Sequence, residues 1–156
     1  MSEDSQDFIE VNQSKDFNEL IHVGHLVEKF DWYNHKFEIR TLTIEEELII
    51  GQLVKEFKDS IAEEKAVAVA IAAASLVSIN DKPFMPKYEK SSFIAIRDRF
   101  VYIKENWHWV VIEAINSEYI QMLARLFQIL EDVENLSKMD RMNSNFSSDP
   151  MIEQES

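Results

Sequence analysis

The stretch FDWYNHKFEIRTLTIEEELII, residues 30–50, changes period halfway along. Before Thr43 apolar and polar side chains alternate, as on a half-buried strand; after it they recur at helical spacing. Residues 25–33 are rich in β-formers, and residues 37–41 alternate large apolar with charged side chains. Asn34-His35 lies between them, and asparagine accepts the positive φ of a two-residue turn, so the pattern predicts a hairpin over 25–42. A lone hairpin is marginal in water. Its apolar face, Phe37 and Ile39 with Phe30 and Trp32, has to dock on helices or on another chain.

Thr43 and Glu46 form Thr-x-x-Glu, a capping box, and Glu45, Glu46 and Glu47 stand at the positive end of the helix that follows. That placement gives the acidic triplet a structural task. The predicted helix spans about 44–59, with Ile44, Leu48, Leu53, Phe57 and Ile61 as its stripe and Ile49, Ile50 and Val54 widening it. A second helix is predicted over 62–79, apolar on all sides and rich in alanine, which lets neighbouring helices approach closely. Such a helix sits in the middle of something, which in a small protein includes a second subunit as an option. Asn80-Asp81-Lys82-Pro83 stops it, and Pro86 keeps the linker extended. A third helix is expected over 92–105, with Phe93, Ile96, Phe100 and Ile103 on one side. A fourth is expected over 108–137, with Ile112, Tyr119, Leu123, Leu126, Leu130 and Val133 spaced 7-4-3-4-3. The fold class expected is mainly α: an N-terminal β-hairpin followed by about four helices in a small bundle. Residues 1–22 read as a flexible acidic arm and 139–156 as a disordered tail, leaving 23–138 as a single domain.

Composition narrows the chemistry. There are no cysteines, which removes disulfides, thiolate metal sites and thiol catalysis together. The net charge of −13 repels phosphate backbones and anionic membranes, so neither nucleic acid nor membrane is expected as a partner. The apolar run 66–79 is 14 residues long, short of the ~20 that span a bilayer. Gly24 and Gly51 are the only glycines, so no glycine-rich phosphate loop can be built. Glu-x-x-His occurs twice, at Glu19/His22 and Glu105/His108, and His22 and His25 are spaced His-x-x-His. Di-iron bundles place two such motifs on core helices. Here one copy lies in the acidic arm and the other at a helix break beside Trp107 and Trp109, so chance spacing explains both. No catalytic, cofactor or metal residue is assigned. A carboxylate-bridged metal enzyme on a helical bundle is the enzymatic alternative.

The order of hairpin, Arg40-Thr41-Leu42-Thr43-Ile44-Glu45-Glu46, Ala-rich helix, linker and the final helical segment 110–126 resembles the small tail assembly chaperones of long-tailed bacteriophages and the related baseplate-hub assembly proteins. The long acidic arm departs from that pattern. The resemblance carries over no catalytic residue. It implies a non-enzymatic protein of the host cytoplasm that binds the tape-measure protein, a long helical chain, while tail-tube subunits polymerise around it. It also leaves open a structural component of the virion and a homo-oligomer. The candidate partner contacts are the hairpin aromatics Phe30, Trp32, Tyr33 and Phe37, and whichever of Trp107, Trp109 and Tyr119 are exposed; the competing reading is that all of them fill the core.

Overall fold

The computed structural model describes residues 26–85 and 93–146. Two antiparallel strands, β1 (Val27–Trp32) and β2 (His35–Arg40), open the fold. Helix α1 (Ile44–Val54) follows, closed by a short 3-10 turn over Lys55–Phe57, and then α2 (Glu63–Ser75). Strands β3 (Leu76–Ile79) and β4 (Lys82–Pro83) come next, then α3 (Phe93–Asn106) and α4 (Trp109–Phe146). The described chain is therefore mainly α, an N-terminal hairpin with four helices behind it, as its periodicities predict. The expectations for residues 1–25, for the linker and cap at 86–92 and for 147–156 lie outside the described residues.

The hairpin turn sits one residue earlier than expected. Tyr33 and Asn34, at φ 47° and 63°, occupy the left-handed positions, and Trp32 pairs with His35. A tyrosine there is uncommon, and its ring packs edge-on against Trp32 with centroids 4.6 Å apart.

The larger correction is at the end of the Ala-rich segment. Helix α2 stops at Ser75, and Leu76-Val77-Ser78-Ile79 is a strand, not a last helical turn. Two β-branched residues, Val77 and Ile79, and alternating burial explain it, with Leu76 and Ser78 buried and Val77 and Ile79 partly so. Asn80 and Asp81 then take φ 53° and 62°, so the pair read as a helix stop is a hairpin turn leading to β4. The result is a four-stranded antiparallel sheet in the order β1-β2-β3-β4, with β2 pairing β3 across an irregularity at Glu38/Ile39. The first hairpin thus has a sheet neighbour as well as helices to dock on.

Helix α2 is central. Ala66, Ala68, Ala70, Ala72, Ala73 and Ala74 are all buried, and α1, α3 and α4 pack around it. Its surroundings come from its own chain. The core is completed by Ile39 of β2, Ile96 and Ile103 of α3, and Ile112, Ile115 and Met122 of α4. Helix α4 does not end near 137 but runs on through Phe146, 38 residues in all. The stretch 138–146 has no apolar period, yet it carries no glycine or proline to stop a helix; the first comes at Pro150.

Candidate functional site

The joint between β2 and α1 is built as the Thr-x-x-Glu spacing predicts. Glu46 Nα donates to Thr43 Oγ1 (3.3 Å) and Thr43 Nα to Glu46 Oε2 (2.9 Å), a complete capping box. The structure adds a partner the spacing does not reveal. Arg40, the last residue of β2, grips the same carboxylate with both arms, Nη1 to Oε2 at 2.8 Å and Nη2 to Oε1 at 2.5 Å. Glu46 is only 3% exposed. The Arg40 guanidinium is held above its ordinary value, chiefly by the hydrogen bond to Glu46. Arg99 of α3 is buried nearby, and desolvation, reinforced by Arg40, pushes it below the usual arginine value. Tyr119 of α4 is raised by burial and then by Glu47, against a backbone hydrogen bond at Leu42. Four elements converge on one buried carboxylate. The arrangement is a joint: the Glu46 carboxylate takes the Thr43 N–H and both arms of Arg40, which ties the end of β2 to the start of α1.

The seven predicted contact residues divide sharply. Phe37 and Tyr119 are buried. Phe30, Trp32, Trp107 and Trp109 are half-buried and pack against the core; Phe30 stacks on Phe37, and Trp107 meets Phe84 with centroids 5.3 Å apart. Lys65 lies over the Trp109 ring. Tyr33 alone of the seven is exposed, at 79%. His108 caps the start of α4, its Nδ1 accepting from Val110 Nα at 3.3 Å. Among the described residues no group of three or more His, Asp or Glu could hold a metal ion; Glu19, His22 and His25 lie outside them. Beside Tyr33 the two hairpin turns enclose a polar recess of about 440 Å³ lined by Asp31, Asn34, Lys36, Asn80 and Asp81. Asn80 Oδ1 accepts from Lys36 Nα (2.9 Å), which ties the turns together.

Exposed large apolar side chains stand on several elements, α1 among them. Ile44 and Leu48 of α1 are 77% and 65% exposed, although the sequence stripe places them inward. The face that is buried or half-buried is Glu46, Ile49, Ile50, Leu53, Val54 and Phe57, a regular i, i+3, i+4 series whose first member is a glutamate. Its acidic start hides it in the sequence, and the Arg40 fork makes it possible in the structure. Ile44, Leu48 and Gly51 therefore share the outer side of α1, at i, i+4 and i+7, and a Cβ built on Gly51 meets nothing within 4 Å. This side is apolar and lets another backbone come close.

No protein-family profile, curated protein or solved structure matches the chain. No described helix is long and apolar enough to cross a membrane.

Proposed function

We propose that this chain is a non-enzymatic assembly chaperone of a long-tailed bacteriophage, acting in the host cytoplasm by holding the helical tape-measure protein soluble until the tail tube forms around it. The observation that carries the reading is the outer side of α1. Two large aliphatic side chains, Ile44 and Leu48, stand in solvent on one side of a helix, with a glycine one turn further on. Such a surface suits an amphipathic partner helix, whose apolar anchors recur at the same spacing. The net charge of −13 supports the reading further, since it keeps a complex with an aggregation-prone chain dispersed. The test is co-purification of the tape-measure protein encoded in the same genome with the tagged chain. Leu48→Glu should abolish it while circular dichroism and thermal unfolding stay unchanged, because Leu48 contributes little to the core. Equal recovery by both forms removes this surface from the account.

A second reading, a structural component of the tail or baseplate, draws on β1. Among the described residues it is the first strand in the sheet order, paired to β2 along one side only, and strand addition uses such an edge. Mass spectrometry of purified virions separates the two: a chaperone is absent from the finished particle, a structural protein is present.

A further inference from the structure

The buried residues of α3 are Ala95, Ile96, Arg99, Phe100 and Ile103, so an arginine stands where the helical period places an apolar side chain. Arg99 is 9% exposed, and its Nε is buried without a hydrogen-bond partner. Among the described residues no ion pair holds its head. Glu46 acts on it from nearby, yet the Glu46 oxygens accept from both arms of Arg40 and from Thr43 Nα and bond to no atom of Arg99. Desolvation and then the neighbouring Arg40 weigh against the charged form of Arg99. A buried guanidinium of this kind is the receiving half of an ion pair, because arginine is almost never buried without one.

The course of the chain points to the other half. Leu26, the first described residue, is tied to Thr41 in both directions: Leu26 Nα donates to Thr41 Oγ1 at 3.1 Å, and Thr41 Nα donates to Leu26 O at 3.0 Å. Thr41 follows Arg40, whose Nη1 donates to the Thr41 carbonyl at 3.1 Å. The residues before Leu26 therefore join the fold beside the two arginines, and they are acidic, with Asp16 and Glu19 the nearest carboxylates. Ten and seven residues of chain reach up to ~36 Å and ~25 Å when extended. A free anion or an acidic partner has to approach a chain of net charge −13, whereas an attached carboxylate is already concentrated at the site. We propose that Asp16 or Glu19 pairs with the Arg99 guanidinium and fastens the acidic segment over the joint between sheet and helices. Ile44 and Leu48 take no part, so this contact and the chaperone reading stand or fall separately.

Paramagnetic relaxation in the full chain tests it. The chain has no cysteine, so Ser14→Cys takes a single spin label close to Asp16. The label should broaden the backbone amide signals of residues 96–103 in α3. Arg99→Met keeps the bulk of the side chain and removes its charge, and should return those signals to the intensity of the reduced, diamagnetic control. Asp16→Asn with Glu19→Gln should do the same while changing no described residue, so the test stands even if Arg99→Met does not fold. Inorganic phosphate added to the unlabelled chain separates the sources of the anion. Millimolar phosphate should leave the Arg99 Nε–H signal in place, because the attached carboxylate already fills the site. Broadening absent from the full chain, broadening that survives either variant, or an Arg99 signal that moves with phosphate overturns the proposal.

Discussion

Removing Glu46 should unlock the joint between sheet and helices. In Glu46→Ala the capping box is lost, which costs about 1 kcal/mol. The Arg40 fork is lost as well, and breaking a buried pair costs roughly 3–5 kcal/mol when the remaining charge stays buried. The Arg40 side chain is 26% exposed and can turn its head to water, so the lower part of that range applies. Arg99, which is more deeply placed, loses its compensating carboxylate too. The sum is about 3–4 kcal/mol, a large share of the ~5–15 kcal/mol that holds a typical domain together. Urea unfolding followed by far-ultraviolet circular dichroism and tryptophan fluorescence gives the number, provided the two probes coincide. A cycle with Arg40→Ala isolates the pair and should return a coupling of at least about 1.5 kcal/mol. A Glu46→Ala cost below about 1 kcal/mol, with a coupling near zero, refutes the joint: Glu46 would then be no more than a helix cap.

Three further outcomes are expected. Gly51→Ala adds a methyl in open space inside a helix and should stabilise the protein by about 0.5–1 kcal/mol in the same unfolding assay; a loss would mean that the site is crowded. The Ser75 hydroxyl is buried at the end of α2 with no hydrogen-bond partner among the described residues, so Ser75→Ala should leave stability unchanged or raise it by up to about 1 kcal/mol. Burial raises the Tyr119 phenol above its ordinary value, so the unfolded chain ionises first: the stability is fully present below about pH 10 and falls as pH rises through the folded value. Tyr119→Phe should flatten that alkaline decline, measured as melting temperature against pH, and an unaltered slope would show that other groups govern it.

The parts of the fold legible in the sequence are those where a local signal and a tertiary contact agree. Thr43 and Glu46 announce the start of α1 by spacing alone, and the alternation in β2 marks Phe37 and Ile39 for the core, where they are found. The alanines of α2 read as a central helix because no side of it is polar. Misreadings arise where one pattern serves two structures. Leu76–Ile79 continues an apolar run, and only its β-forming residues and the following Asn80-Asp81 turn distinguish strand from helix. The outward side of α1 went unread because its inward side begins with a carboxylate, which becomes tolerable only when Arg40, six residues back on another element, reaches it. The same holds for the predicted contacts. An aromatic residue's type does not say whether its ring fills the core, as Phe37 and Tyr119 do, or meets solvent, as Tyr33 does.

The central proposal, that the protein holds a tape-measure protein by contact through the outer side of α1, is most directly tested by methyl NMR of the full chain titrated with the proposed partner. The account predicts that the methyl signals of Ile44 and Leu48 shift or broaden in step with added partner, while those of buried Ile39 and Ile103 hold their positions. Signals of Ile44 and Leu48 that stay fixed while the partner binds at another face would contradict it.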